Sequence, residues 1–258
     1  MYAIIDADSI AFAIASTMAR QEREDPSYIN GADDFRWSLS VFITQIVEAT
    51  DADGYELHLT GSESFRKIVA PSYKANRKGM AKPENLNAIK QQMVDEWGAF
   101  YAPEGFEADD SVAQEVFRCI ALGEEYVICS IDKDMDTLPG WRYRWPTHNK
   151  AEALYFVTDY QARYNFWTQV LVGDSADGIK GIPWVGPKTA FTLLQGCRTE
   201  NDFYKATLVA YKERMTTEEN GMTEQEAEEY FNVNRELLRL GLEDRENVSI
   251  ASGADEGD

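Results

Sequence analysis

The sequence predicts an α/β protein in which a mainly parallel sheet flanked by helices is followed by a purely helical region. Short apolar runs alternate with stretches of helical periodicity, which is the pattern of parallel strands joined by crossover helices. The first apolar run, residues 2–5, passes directly into a helical pattern. After residue 190, apolar residues recur only at helical spacing. Together these observations favour an α/β core with a separate helical part.

Each element follows from the local periodicity. The strand at 2–5 leads into a first helix, and an amphipathic helix is predicted over 33–49. The segment 60–79 is polar and basic with few periodic apolar residues, so we expect a mobile loop or a helix that orders on a ligand. Further strands are predicted at 55–60, 126–131, 141–145 and 153–157, and further helices at 85–97, from 107 onward, at 159–172, at 203–211 and at 224–240.

These elements group into two parts and a tail. We expect an α/β core over residues 1–172, which includes a basic region near 62–98, and a helical region over residues 173–246. The last residues, 247–258, are small and acidic, a composition that predicts a disordered tail.

Composition excludes several classes of protein. No apolar run is long enough to cross a bilayer and the N-terminus has no basic leader, so we expect a cytoplasmic protein without a membrane partner. The three cysteines are odd in number and far apart, which argues against a disulfide framework. With only two histidines in the chain, a zinc cage is also disfavoured. Any metal site is therefore expected to use oxygen ligands.

The charge is unevenly distributed along the chain. The formal net charge of −20 argues against a polyanionic partner, because such binding depends on lysine and arginine. Residues 213–258 alone contribute −10, with fourteen acidic and four basic residues. Between residues 58 and 82, six basic residues stand against one acidic residue. The sequence therefore predicts a local basic surface on an acidic protein.

The stretch 173–190 contains the most specific motif. Asp174 and Asp177 lie three residues apart, a spacing that lets both carboxylates face one hard cation. Gly181 and Gly186 free the backbone from Cβ atoms, and Pro187 suits the first position of a helix. We expect this turn to present N–H groups to a phosphate. The same residue types are also common in ordinary loops, so the motif alone leaves that explanation open.

Other carboxylates stand where a parallel sheet would bring them together. Asp6 and Asp132 end predicted strands, and Glu107 and Asp109 begin a helix. Ligands of such folds bind at the carboxyl ends of the strands, so we expect one pocket to collect these side chains. Carboxylates this close repel one another unless cations neutralise them, which predicts bound divalent ions. For the helix start alone, the helix dipole is an equally good explanation.

Five motifs, in order, resemble the 5′-nuclease superfamily, and within it bacteriophage 5′-to-3′ exonucleases and flap endonucleases. Agreement of five ordered motifs over residues 1–195 is far more specific than agreement of one. The resemblance implies a PIN-like core with an arch or gateway near 62–98, followed by a helix–three-turn–helix DNA-binding element. The motifs are Asp6, the runs 73–77, 107–110 and 130–134, and the stretch 173–190.

The resemblance also implies the site residues. Lys74 and Arg77 would reach the scissile phosphate, and Asp132 would be a shared metal ligand, so these three are the expected catalytic residues. Two or more Mg²⁺ or Mn²⁺ ions would be held by Asp6, Glu107, Asp109, Asp110, Asp132, Asp134, Asp174 and Asp177. DNA would be bound by Arg66, Lys67, Tyr73, Lys74, Arg77, Lys78, Gly181, Ile182, Val185, Gly186 and Lys188, with K⁺ at the three-turn element.

The implied function is metal-assisted hydrolysis of DNA in phage replication, without a covalent intermediate. The substrate would be a duplex with a free 5′ end, a nick or a 5′ flap, and also an RNA primer on DNA. We expect a monomer with a replication-protein partner. The acidic C-terminal region would either dock that partner or form only a solvated surface. For Tyr73 and Trp184, both base stacking and a packing role remain open.

One departure from the family pattern leaves alternatives open. The family usually has an Asp shortly before a Phe-Arg pair, and this position falls on Gly61. Loss of that carboxylate would weaken the binding of one metal ion. Asp8 and Glu63 are the candidates to replace the missing carboxylate. One alternative is a catalytically impaired, structure-specific DNA-binding protein on the same fold. A second is a PIN-type ribonuclease, which leaves the glycine-rich turn unexplained.

Overall fold

The computed structural model describes residues 1–61 and 63–241, and the predicted tail at 247–258 lies outside the described residues. In chain order, the strands are β1 (Tyr2–Asp6), β2 (Gly54–Leu59), β3 (Phe100–Tyr101), β4 (Tyr126–Cys129), β5 (Gly140–Arg144), β6 (Ala153–Val157), β7 (Gly173–Asp174) and β8 (Ile179–Lys180). The helices are α1 (Ala7–Glu24), α2 (Ala32–Thr50), α3 (Phe65–Val69), α4 (Leu86–Trp97), α5 (Ala108–Leu122), α6 (Asp159–Val172), α7 (Pro187–Leu193), α8 (Glu200–Met215) and α9 (Glu224–Leu238), with 3₁₀ turns at Ala75–Arg77 and Lys133–Thr137.

The described residues fall into two compact units. The first contains residues 1–61, 83–130 and 240–241, and the second contains residues 63–82 and 131–239. This division differs from the predicted boundary after residue 172. The reason is that α6 contributes Phe166, Trp167 and Val170 to the same apolar core as the helices that follow it.

The first unit contains the predicted parallel sheet. Its strands are ordered β3-β2-β1-β4, and each neighbouring pair is parallel. Residues such as Ile4, Leu57 and Ile128 are completely buried, because helices cover the sheet. α1, α2, α4 and α5 pack on these strands. The mainly parallel, helix-flanked core predicted from the sequence is therefore confirmed.

The second unit is mainly helical, as predicted for the C-terminal part. α6, α7, α8 and α9 pack around an apolar core that includes Phe203, Tyr211 and Phe231. The rings of Trp167 and Phe231 are stacked, with centroids 6.2 Å apart. The unit also contains two antiparallel pairs, β5 with β6 and β7 with β8.

The basic segment predicted as a mobile loop or an inducible helix contains α3, a 3₁₀ turn and ordinary turns, all within the second unit. Ser64 begins α3 as an N-cap, with its side chain accepting a hydrogen bond from the Arg66 N–H. Among the described residues, no helix combines the length and apolar character needed to span a bilayer.

Candidate functional site

Asp6 lies at the carboxyl end of β1 in the first unit, where the sequence predicts a metal ligand. The side chain is almost fully buried and caps α1 by accepting a hydrogen bond from the Asp8 N–H. Its Oδ2 also accepts hydrogen bonds from the hydroxyls of Ser9 and Ser130, the latter at 2.9 Å. These donors hold the carboxylate in one orientation.

The acidic residues that begin α5 separate into two groups. Glu107 and Asp109 are partly exposed, whereas Asp110 is fully buried. Asp110 Oδ2 accepts the Glu107 N–H at 3.1 Å and Oδ1 accepts the Gly241 N–H at 3.3 Å. Asp110 thus caps the helix through backbone groups, and its assignment as a metal ligand stays a prediction. The helix-start explanation that the sequence left open applies to this residue.

Gly61 stands where the family pattern would place a carboxylate. A Cβ at this position would approach nothing closer than the Ala102 carbonyl, at 4.0 Å, so sterics do not require glycine here. The nearby Asp8 accepts the Thr60 N–H at 3.1 Å and forms an ion pair with Lys90. Asp8 is therefore fixed beside this turn within the first unit, but its charge is already paired.

In the second unit, Asp134 and Asp174 are joined by shared donors. Lys133 Nζ lies 2.9 Å from Asp174 Oδ2 and 3.9 Å from Asp134 Oδ1. The Gln169 side-chain amide donates to the same two carboxylates, at 2.8 Å to Asp134 and 3.3 Å to Asp174. Asp174 is only 2% exposed and its Oδ1 also accepts the Ala176 N–H. Two predicted ligands from distant motifs thus lie side by side.

Asp177, in the stretch 173–190, contacts side chains of the basic motif at 73–77. Arg77 Nη2 lies 2.6 Å from Asp177 Oδ1, and Lys74 Nζ lies 3.8 Å from Oδ2. The Tyr73 hydroxyl donates to Oδ2 at 3.1 Å. The backbone adds a further link, because the Lys74 N–H donates to the Asp177 carbonyl at 2.8 Å. The two basic side chains that are predicted to be catalytic, Lys74 and Arg77, therefore both contact Asp177, a predicted metal ligand.

Asp132 is exposed and begins the 3₁₀ turn at 133–137, with its Oδ1 accepting the Asp134 N–H at 2.9 Å. The turn is supported by Arg142, whose buried guanidinium donates to the Asp132 carbonyl at 3.2 Å and to Asp136 at 3.1 Å. Tyr155 donates its hydroxyl to the same Asp136 oxygen. This network holds the backbone that carries Asp132 and Asp134.

The electrostatics of the second unit show crowding of negative charge. Burial, followed by the charges of Asp132 and Asp174, raises the pKa of Asp134 to about 7. Burial also raises the pKa of Asp177, although Lys74 and Arg77 oppose that shift. Burial opposes ionisation of Asp174 too, but the hydrogen bonds from Lys133, Ala176 and Gln169 keep the pKa of Asp174 below its usual value. A divalent cation would relieve this repulsion, and carboxylate oxygens are its preferred ligands.

The raised pKa of Asp134 predicts a pH-dependent stability in EDTA. Between pH 3.8, the ordinary value, and about 7, the folded protein holds a proton that the unfolded chain has released. The free energy of unfolding should therefore fall as the pH rises through this range, by on the order of 3 kcal/mol between pH 5 and pH 8. In Asp134→Asn, this pH-dependent part of the free energy of unfolding should be absent. Chemical denaturation of both proteins at pH 5 and pH 8 would measure the difference. Identical pH dependence in the two proteins would contradict it.

The glycine-rich turn corrects several of the predicted DNA contacts. Ile182 and Val185 are buried, and their N–H groups donate to the carbonyls of Leu171 and Ile182 within the protein. A Cβ on Gly181 would overlap backbone atoms of residues 171–173, so this glycine is required by chain packing. Neither Ile182 nor Val185 therefore offers its N–H to a phosphate.

Gly186 and Lys188 remain suited to a phosphate contact. Gly186 has a negative φ, and a Cβ placed on it would meet no atom within 4 Å, so the fold does not require glycine here. Lys188 is exposed. In the basic segment, Lys67 and Lys78 are exposed as well.

Arg66 and Tyr73 have roles that differ from the predicted DNA contacts. Arg66 is only 2% exposed, and its guanidinium donates to the carbonyls of Leu237 and Arg239 at 2.7 and 2.9 Å. Tyr73 is buried in the apolar core of the second unit, and its hydroxyl donates a hydrogen bond to Asp177. A buried polar group needs a partner inside the protein. The hydrogen bonds that Arg66 and Tyr73 make for this reason also hold the basic segment in place.

Sequence reasoning missed several supporting residues. Lys133 lies inside one of the five motifs, so its position between two aspartates was a usable signal. Gln169 and Arg142 had no such signal, because neither residue lies inside one of the five motifs. Among residues 1–61 and 63–241, no three Asp, Glu, His or Cys side chains are close enough to hold an ion in this conformation. The individual metal-ligand assignments stay predictions.

Comparisons with known proteins give relatives in sequence and neighbours in fold. No family model matches the chain. The chain is 29% identical over 173 residues to flap endonuclease Xni of Vibrio parahaemolyticus, covering 63% of this chain and 65% of the relative. It is 33% identical over 144 residues to DNA polymerase I of Rhizobium leguminosarum, covering 52% of this chain and 14% of the polymerase.

The fold is similar to that of a solved nuclease structure. A solved structure of the bacteriophage T5 flap endonuclease, in a pseudo-enzyme–product complex with DNA and metal ions, superposes with a TM-score of 0.58. The alignment covers 92% of this chain and 85% of that one, at 18% identity. The chain is therefore similar in sequence to a flap endonuclease, and its fold is similar to that of the T5 enzyme. The chain spans less than two thirds of the length of both curated relatives.

Proposed function

We propose that the chain is a divalent-metal-dependent 5′-nuclease that hydrolyses phosphodiester bonds in DNA, either from a 5′ end or at a 5′ flap. One observation carries the proposal: Lys74 and Arg77 contact Asp177 within the second unit, although about a hundred residues separate the two motifs. Positive donors beside carboxylates suited to metal ions are what phosphoryl transfer requires. The name of one relative, a flap endonuclease, supports the same reaction.

The proposed roles follow from the contacts. In the second unit, Mg²⁺ or Mn²⁺ would be held by Asp132, Asp134, Asp174 and Asp177. In the first unit, the expected ligands are Asp6, Glu107, Asp109 and Asp110. When bound, such ions supply Lewis-acid charge and lower the pKa of a coordinated water. Lys74 and Arg77 would donate to non-bridging phosphate oxygens as negative charge develops there. Tyr73 would keep Asp177 oriented through its hydroxyl.

The finer features belong to the same proposal. Substrates would include nicked duplexes and an RNA primer on DNA, and K⁺ would bind near the turn at 181–188. A role in phage replication and a replication-protein partner rest only on the resemblance described above. They stay predictions.

Cleavage of end-labelled DNA tests the proposal. Duplexes labelled at the 5′ or the 3′ end, either nicked or carrying a 5′ flap, would be incubated with Mg²⁺, Mn²⁺ or EDTA. We expect products released from the 5′ end only with metal. Duplex binding without cleavage in either metal would favour the non-catalytic DNA-binding alternative, and preferred cleavage of single-stranded RNA would favour the ribonuclease.

Lys74→Ala should lower the rate of the cleavage step by about 10²–10³-fold, because one charge-stabilising donor is lost. The affinity for DNA should change little, since a single phosphate contact contributes weakly to binding at physiological salt. Single-turnover cleavage and binding in EDTA would separate the two effects. Lys205→Ala is the matched control, because it removes the same charge from an exposed position on α8 of the same unit. Equal losses of binding and cleavage in Lys74→Ala would make it a binding residue.

A further inference from the structure

The tip of the glycine-rich turn has an unusual backbone. The Val185 N–H donates to the Ile182 carbonyl at 3.2 Å, which closes a four-residue turn. Pro183 occupies the second position and Trp184 the third, and Trp184 has a φ of +63°. These are features of a type II turn, whose third position favours glycine. A tryptophan here is held in a conformation that side chains disfavour.

Packing within the protein does not explain this residue. Trp184 is 88% exposed, whereas its neighbours Ile182 and Val185 are buried and anchor the turn. An exposed apolar residue is ordinary by itself. Here, however, the residue combines an unfavourable backbone with almost no burial. Of the described non-glycine residues with positive φ, Asp51 and Lys74 are both polar, and Trp184 is the aromatic one.

We propose that Trp184 inserts its indole into the minor groove of duplex DNA and so raises affinity for duplex over single-stranded DNA. This inference rests on the proposed function, since it takes DNA as the ligand. It adds a specificity-determining residue beside the expected phosphate contacts of Gly186 and Lys188.

Chain geometry favours the minor groove. Gly186 follows Trp184 by two residues, and two residues of extended chain span at most about 7 Å. The minor groove is about 6 Å wide, whereas the major groove is about 12 Å wide. A turn that touches one phosphate at Gly186 therefore places the indole within reach of the adjoining minor groove. Apolar side chains are used in that groove by several classes of DNA-binding protein.

The variant Trp184→Gly separates this role from a structural one. Glycine suits the positive φ, so we expect a melting temperature equal to or slightly above that of the wild type. Anisotropy in EDTA with a labelled nicked duplex should show affinity weakened about 10-fold, and with a single strand of equal length a change below about twofold. Trp37→Ala is the control, because Trp37 is 71% exposed on α2 and should leave both affinities unchanged.

Each other outcome overturns the inference. Unchanged duplex affinity would show that the indole makes no groove contact, and equal losses on both DNAs would indicate contact with unpaired bases. A melting temperature lowered by several degrees would show that Trp184 stabilises the fold. If the wild type itself binds neither DNA, the proposed function fails as well, which distinguishes that failure from a loss of the Trp184 role alone.

Discussion

Replacing Asp132 with asparagine should lower metal-dependent cleavage by about 10³-fold or more while the protein stays folded. The substitution removes the charge that a divalent ion needs, and loss of a metal ligand costs several kcal/mol of transition-state stabilisation. Asparagine is a good helix N-cap, so the hydrogen bond from the Asp134 N–H can be kept. Single-turnover cleavage of a 5′-flap substrate in Mg²⁺, together with thermal unfolding, would measure both effects.

Asp159→Asn provides the matched control for this experiment. Asp159 is exposed in the first turn of α6, so the same charge is removed from the same unit away from the acidic group. Its cleavage rate should stay within about twofold of the wild type, because surface substitutions rarely disturb more. An Asp132→Asn protein that cleaves as fast as this control would exclude Asp132 as a required ligand.

Gly181→Ala should destabilise the protein by at least about 3 kcal/mol. The added methyl group would overlap backbone atoms of Leu171, Val172 and Gly173, and backbone cannot move aside as a flexible side chain can. The Ile182 N–H to Leu171 carbonyl hydrogen bond, 2.9 Å, lies at the same crossing and would be strained. A drop in melting temperature of roughly 6–12 °C is the corresponding shift.

Gly186→Ala, five residues along the same turn, should behave in the opposite way. Its methyl group would meet no atom within 4 Å and its φ is −104°, so the free energy of unfolding should be unchanged or raised by about 0.4–1 kcal/mol. If DNA approaches this backbone, the same variant should bind duplex DNA more weakly. Equal destabilisation by the two alanines would contradict the packing described at Gly181.

Much of the fold could be predicted from the sequence, because burial gives each helix and strand a recognisable pattern of apolar residues. β1 and β4 are buried on both faces and appear as short continuous apolar runs. The helices α2, α4 and α5 carry amphipathic stripes and begin or end at capping residues. The predicted strand at 126–131 ends earlier, at Cys129, because Ser130 turns its side chain to Asp6.

The roles of individual site residues were harder to predict because they depend on distant partners. Arg66 and Lys67 look alike in sequence, yet the first is buried against carbonyls near the end of α9 and the second is exposed. Asp109 and Asp110 are adjacent acidic residues, but Asp109 is partly exposed, whereas Asp110 is buried and accepts backbone N–H groups on both oxygens. Residue type gives the chemistry that a side chain can perform, whereas its neighbours in space decide whether it is available.

The buried hydrogen bond of Arg66 can form only late during synthesis of the chain. Its Nε donates to a carbonyl 171 residues further along the chain. At ribosomal speeds of about 5–20 residues per second, that partner is made roughly 10–30 s after Arg66. Until then the guanidinium stays hydrated, because the carbonyl that will accept its hydrogen bond has not yet been synthesised. The second unit therefore completes this contact only as its last helix is released, whereas β1 and β2 can pair much earlier.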